Sequence, residues 1–350
     1  MPASIEKASD DLKDLLDDEL RPAIEGLESS RRSRYRIVAL YAVLCLIAVV
    51  VSSLYVTFEL IGGDDALLAF IPTVAFMAGV GVLITVFAYF VHVKMPLQKQ
   101  FRAQILGPIV GRITPKFRDQ SSAELERSEW RNSALFPDTT HQLHSDHLTA
   151  ARRDELTVGF CHLKLDAGVL SYLPGSPDDQ SPLPSVAAGF DGLFVVAKPA
   201  IDDETTWILR RREDADDVAH RQGSIEVDDP PLNFEAMRRV DELEPEFQQY
   251  FAVYTPERDG EPAPVFCNDI QRRLVDLCRD FEARDVDFDP IPRGALSLRE
   301  GKCHVAISRP FPSPPLRPRA PGLDEETLLE FAHHLEFSFR LCQALESSSL

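Results

Sequence analysis

Two long stretches without a charged side chain constrain this chain more than anything else in it. Ile37–Phe58 runs 22 residues and Ala66–Val93 runs 28, with no Asp, Glu, Lys or Arg in either. About 20 apolar residues in a helix span the hydrocarbon core of a bilayer, where the backbone must satisfy its own hydrogen bonds. Both stretches meet that requirement, and the second is long enough to tilt or to continue into the interface at His92. Two such runs separated by seven residues would be hard to bury in a soluble domain of this size. The first begins behind a charged segment, too far along the chain for a cleaved signal peptide.

The flanks of the two runs predict an orientation. Arg31, Arg32, Arg34 and Arg36 precede the first; Lys94, Lys99 and Arg102 follow the second; the connector Glu59–Asp65 has no basic residue. By the positive-inside rule both termini belong in the cytosol and only a tight turn lies outside. Tyr35, Tyr55 and Tyr89 fall near helix ends, where amphipathic rings favour the interface. Neither run carries an ionisable group near its middle, which argues against an ion pathway or proton relay. Ala75, Gly79 and Gly81 permit close helix approach, most simply within the hairpin, and leave homo-oligomerisation open.

Before the hairpin, Leu12, Leu15, Leu16, Leu20 and Leu27 recur at helical spacing among acidic residues, a helix expected to be interrupted or kinked near Pro22. Such a stripe needs a partner: the soluble domain or the segment after the second run. There, Phe101, Ile105 and Ile109 continue a helix as far as Pro108 or Pro115. Farther on the period changes. Leu156–Leu165, Phe190–Ala197, Thr205–Leu209 and Phe251–Tyr254 read as strands, and Ala295–Leu298 with Cys303–Ile307 as a hairpin. Helices are expected from about Pro264 to Phe281 and from Asp324 to about Leu345, the latter with Leu328, Phe331, Leu335, Phe339 and Cys342 as its stripe. The predicted class is a two-helix transmembrane hairpin plus a cytosolic α+β domain. Its divisions are 1–36 (amphipathic helix), 37–58 and 66–93 (membrane helices), 59–65 (external turn), 94–309 (α+β domain), 310–322 (Pro-rich linker) and 323–350 (C-terminal helix).

Phe190-Asp-Gly-Leu-Phe194, Phe251-Ala-Val-Tyr-Thr255, the helix beginning Asn268-Asp-Ile-Gln and the hairpin ending His304-Val-Ala-Ile307 follow a basic-flanked membrane hairpin. This order resembles the uncharacterised bacterial membrane proteins grouped as Domain of Unknown Function 3137. Glu261-Pro-Ala-Pro264 stands where members usually carry an acidic-Ala-Arg-aromatic run. The resemblance implies a multi-pass protein of the bacterial inner (plasma) membrane with a cytosolic domain, and implies no activity.

A formal net charge of −19 argues against nucleic acid as a partner. The six cysteines form no C-x-x-C pair and read as buried, inert thiols. One cluster has ligand character: His141, His144 and His147, with Asp138 and Asp146 beside them. On a helix, i and i+3 share a face but i+6 has turned away by about 240°. In a loop the three imidazoles can converge, and a three-His zinc site with an open position suits hydrolysis. G-x-S-x-G, H-E-x-x-H, Walker A and G-x-G-x-x-G after a strand are absent. The paired aspartates at 178–179, 202–203, 216–217 and 228–229 read as solvated loop charge, and Arg210-Arg-Arg212 as a local ion-pair patch. The expectation is therefore a membrane-anchored protein-binding module with no catalytic residue or cofactor, partnered by the lipid bilayer and an unidentified protein. The alternative is a membrane-tethered, metal-dependent hydrolase using His141, His144 and His147 with zinc.

Overall fold

The computed structural model describes residues 16–55, 66–113, 127–133, 135–136, 141–145, 149–153, 156–166, 190–198, 206–211, 237–256, 266–284, 286–292, 294–307, 312 and 323–346. The expected external turn, the Pro-rich linker apart from Pro312, Leu12 and Leu15, His147, Asp138, Asp146, Arg212 and the paired aspartates lie outside the described residues. The chain divides into two compact units. One is built on Asp14–Pro108 with Ser313–Glu325, the other on Ile109–Pro312 with Glu326–Leu350.

The first unit is helical. Helix α1 (Arg21–Tyr55) follows a π turn at Leu16–Leu20 and joins the expected amphipathic segment and first apolar run into one element. Helix α2 (Ala66–Tyr89) continues through a π turn at Phe90–Lys94 into α3 (Met95–Phe101), then through a second at Arg102–Leu106 into α4 (Gly107–Ile113). The π turns have a cause in the sequence. Each ends two residues before a proline: Pro22, Pro96 and Pro108. An interior proline has no N–H for the carbonyl four residues back, and its ring crowds that carbonyl. Widening the preceding turn relieves the crowding, and the residue before the proline reaches five back: Met95 N–H to Phe90 O, and Gly107 N–H to Arg102 O. The His92 carbonyl, which Pro96 cannot serve, accepts instead from Arg34 Nη1 of α1 at 3.2 Å.

The antiparallel helices are tied by further contacts at this level. Ser30 Oγ donates to Gln100 Oε1 (3.0 Å), the Tyr41 ring stacks on His92 at 5.6 Å, and Tyr35 lies 6.2 Å from Tyr89. Leu20, Leu27, Leu97, Phe101 and Ile105 are buried, so the amphipathic stripe that α1 carries ahead of its apolar run is covered, and α1 runs alongside α3 within this unit. Farther along, a Cβ on Gly81 would stand 3.6 Å from Cys45 and Val49, whereas one on Gly79 would meet nothing within 4 Å. Of the small residues in α2, Gly81 is thus at the helix contact and Gly79 is outside it. Both helices are long and apolar enough to cross a membrane, and only 6% of each apolar window is buried. Core helices of a soluble protein would show the reverse; here Leu46, Phe76, Leu83 and Phe87 are each more than 60% exposed.

The second unit is α+β. Among the described residues its antiparallel sheet has nine strands: β1 (His141–Ser145), β2 (Thr149–Arg153), β3 (Leu156–Asp166), β4 (Phe190–Ala197), β5 (Trp207–Arg211), β6 (Met237–Arg239), β7 (Phe251–Pro256), β8 (Gly294–Arg299) and β9 (Lys302–Ile307). The order is β1-β3-β4-β9-β8-β5-β7-β6, with β2 pairing β3 ahead of β1. Strands β8 and β9 turn through Glu300 and Gly301, both at positive φ, as a tight hairpin requires. Short helices α5 (Arg127–Asn132) and α6 (Phe247–Tyr250) and the longer α7 (Asn268–Glu282) and α8 (Glu325–Glu346) complete the described elements.

Period-two alternation separates two packed faces. On one, Cys161, Leu163, Leu165, Phe190, Phe194, Ile208 and Ala306 pack against Trp130, Leu135 and Phe136, a hook formed by α5 and the residues after it. On the other, Phe160 meets Phe339 of α8 and Cys303 meets Cys342, with α7 set against α8 through Phe281 and Phe337. Gly294 lets β8 approach β9: a Cβ there would stand 2.3 Å from the Ala306 carbonyl oxygen. Gly294→Ala is expected to push the pair apart and cost about 1–3 kcal/mol, measured as a lowered denaturation midpoint. An unchanged midpoint would show that the strand pair adapts.

Candidate functional site

Three groups of polar side chains in the α+β unit are built well enough to judge as sites. The first lies where β1, β3 and β4 run together. His162 and Lys164 occupy alternate positions of β3, on the face that α8 covers farther along, and Asp191 stands opposite Lys164 on β4. The Asp191 carboxylate accepts from His162 Nε2 through Oδ1 and from Lys164 Nζ through Oδ2, both at 2.6 Å. Burial pushes the Asp191 carboxyl up, but these two hydrogen bonds outweigh it and hold the group below the usual carboxylate range.

The histidines singled out from sequence approach this group along the backbone. His141–Ser145 is a strand, neither the helix nor the loop considered above. Leu143 is an extra residue in its ladder, so that His141 stands opposite Asp166 and His144 opposite Lys164. The bulge turns an i, i+3 spacing, which in a regular strand would give opposite faces, into partnership with alternate positions of β3. Among the described residues no group of three or more His, Cys, Asp and Glu is arranged to hold a metal ion. The Lys164 ammonium occupies one oxygen of the carboxylate that such an ion would use.

The second group is half-buried. Glu129 of α5 accepts from Lys302 Nζ through Oε1 at 2.5 Å, and its Oε2 lies 3.8 Å from His304 Nε2. His304 is 1% exposed and stacks on Phe194. At 3.8 Å the His304 contact is electrostatic and not a hydrogen bond, which leaves Oε2 and both imidazole nitrogens without one. His304 and Lys302 together hold the Glu129 carboxyl down at about 2 against the opposing effect of burial. The arrangement fixes α5 to β9 beneath the hook.

The third group joins α7 to α8. Arg284 makes two parallel bonds to Glu336 (2.8 and 3.0 Å) and lies over the Phe281 ring at 3.7 Å. Glu336 also pairs with Arg340 (2.8 Å), which bonds Asp280 (2.6 Å). His333 Nε2 donates to the Pro290 carbonyl at 2.8 Å, and burial pushes its imidazole down to about 4. Beside them, Arg211 bonds Asp289 Oδ2 and the Ile291 carbonyl (2.6 and 2.7 Å), so this member of the Arg210–Arg212 run is in a local ion pair. Fork-to-carboxylate pairing with an aromatic platform holds the two helices together.

Cysteine chemistry is muted. Cys161, Cys278, Cys303 and Cys342 are buried, Cys45 is half-buried and Cys267 is exposed. Burial pushes Cys278 up to about 12, and the Cys342 thiol 3.7 Å away, together with burial, raises Cys303 well above its ordinary value. Sequence reading missed Asp191, His162 and Lys164 as a set, although His162 and Lys164 interrupt the Leu163–Leu165 alternation at the correct period. No protein-family model, curated protein or solved structure matches the chain. The resemblance noted from its motifs therefore adds nothing to the site.

Proposed function

We propose that this chain is an integral protein of the bacterial inner membrane, held by a two-helix hairpin with both termini in the cytosol. Its α+β unit there binds another protein. The observation that carries the reading is the almost complete exposure of the two apolar helices, a surface that water does not tolerate and lipid does. The binding role is supported by the acidic balance outside the helices. Residues 29–58 and 66–118 hold ten basic residues and no acidic one, so the rest of the chain carries 27 basic against 56 acidic. A basic partner surface is the complement.

Cys267 provides the topological test, because it is the exposed cysteine of the α+β unit. A membrane-impermeant maleimide is expected to leave it unlabelled in intact cells and to label it after permeabilisation. Labelling in intact cells would overturn the orientation. For the binding role, a protein recovered in near-equal amount with the detergent-extracted chain and released by salt is the expected result. Repeated recovery of the chain alone removes that half of the proposal.

One observation favours a second reading, a metal-dependent hydrolase. The bulge at Leu143 puts His141 and His144 in register beside the His162–Asp191 strands. Elemental analysis of the purified chain would find near-stoichiometric zinc, iron or manganese if this holds. Replacing His141, His144 and His147 together with Ala would then remove it.

A further inference from the structure

The basic residues that flank the hairpin stand in two groups, Arg31–Arg36 before the first apolar run and Lys94–Arg102 after the second. The contacts of Arg34 with His92, and of Ser30 with Gln100, set the two antiparallel helices in register. That register brings Arg36 level with Lys94, and Arg32 nearly level with Lys99. Arg32, Arg36 and Lys99 are exposed, and Lys94 is half-exposed with its ammonium 4.8 Å from the Phe90 ring centroid. Among the described residues one carboxylate reaches into this tier: Glu28, 3.7 Å from Arg32, whose side chain is still 74% exposed. Arg34 is not part of the exposed set, because it is committed to His92 and Ser30. Within the tier the Tyr35 ring pairs with that of Tyr89, and toward the apolar belt come Tyr89 itself and the exposed side chains Ile37, Leu40 and Val91.

We infer that Arg32, Arg36, Lys94 and Lys99 form a collar that binds the phosphate groups of anionic phospholipids. The inference rests on the membrane reading above and specifies which lipid the hairpin prefers. Aromatic rings at the interface followed by cations just outside match the depth at which headgroup phosphates lie, and cations there attract anionic lipid. The acidic remainder of the chain sharpens the need. An anionic leaflet repels an acidic surface, and of the 56 carboxylates all but Glu59, Asp64 and Asp65 of the external turn lie on that side; a basic tier at the membrane offsets the repulsion.

The test uses the full chain in vesicles of equal phosphatidylglycerol and phosphatidylcholine. Flotation is followed by gentle detergent release and native mass spectrometry of the lipid retained. Retained phosphatidylglycerol is expected to exceed phosphatidylcholine about fivefold or more. The variant R32Q/R36Q/K94Q/K99Q should float equally well, keep its helical circular dichroism and retain the two lipids in the mixing ratio. R32K/R36K/K94R/K99R should keep the preference, since charge and not shape carries it. Floating wild-type protein that retains both lipids equally overturns the collar and leaves the hairpin standing. Protein that does not float overturns both.

Discussion

Glu336→Ala is expected to destabilise the α+β unit by about 3–5 kcal/mol, the range for removing one partner of a buried ion pair. The reason is the partner left behind. The Arg284 side chain is 2% exposed, and its two hydrogen bonds to a side chain both end on Glu336. Arg340 keeps Asp280 and, being one-third exposed, keeps water. The loss should therefore appear chiefly as an unpaired guanidinium over Phe281, not as a missing helix contact. Replacing both members, as R284M/E336L, is expected to recover most of the stability because no charge is then stranded. Urea unfolding of the purified chain measures both variants. A loss below about 1 kcal/mol for Glu336→Ala would show that water reaches Arg284.

The same interface sets a pH dependence. Burial raises the Glu336 carboxyl, but Arg284 and then Arg340 outweigh it and hold the group below its ordinary value. A depressed carboxyl stabilises the fold above its unfolded pKa, and that contribution disappears as pH falls through the folded one. His333 acts in the same direction by a different route. With its imidazole held down to about 4, the unfolded chain binds a proton that the native chain refuses, between about 6.5 and 4. Through His333 alone stability should fall by about 3 kcal/mol across that window. Equilibrium unfolding at a series of pH values checks the sign: stability that rises on acidification would contradict both groups.

What could be read from sequence follows the physics of each element. Charge-free runs and period-two strands announce themselves, so the two apolar helices, β3, β4, β7 and the β8–β9 hairpin all appear close to where they were expected. The α8 stripe Leu328, Phe331, Leu335, Phe339 and Cys342 is buried as read, but His333, His334, Phe337, Ser338 and Leu341 are buried too. Polar residue types hid a helix buried over most of its circumference, because the carbonyls of Pro290 and Asp289 that face the two imidazoles come from a distant segment. Strand β1 was missed for a related reason. His-Gln-Leu-His-Ser carries no hydrophobic alternation, and only pairing with β3 makes it a strand. Prolines were partly legible: a π turn interrupts the helix just ahead of Pro22, and α4 is described as far as Ile113, two residues before Pro115, whereas the π turns that carry the helix past Pro96 and Pro108 were not foreseen.

Helix α5 was also invisible in the sequence, and Trp130→Ala tests how much depends on it. The loss is expected to be about 3–5 kcal/mol, the range for truncating a large buried aromatic side chain. Trp130 is 1% exposed and lies edge-on to Phe136, which reaches Phe190 and Phe194 on β4. The polar frame around it would be disturbed as well: Ser133 Oγ donates to the Trp130 carbonyl, Ser297 Oγ donates to the Ser133 carbonyl, and Lys302 holds Glu129. The variant has a useful property, because Trp207 becomes the sole tryptophan. Trp207 neighbours Ile208 in β5; Ile208 faces the hook, so Trp207 points to the opposite face, against Phe266. If hook and sheet fold as one unit, Trp207 fluorescence will report a single transition moved to lower denaturant. If the hook is a separately stable flap, Trp207 will unfold at an unchanged denaturant concentration while far-ultraviolet circular dichroism loses a small early step. The first outcome is expected, because strands β4 and β9 carry side chains of both faces on one backbone. A void beneath Phe136 therefore loosens the strands against which α8 is packed.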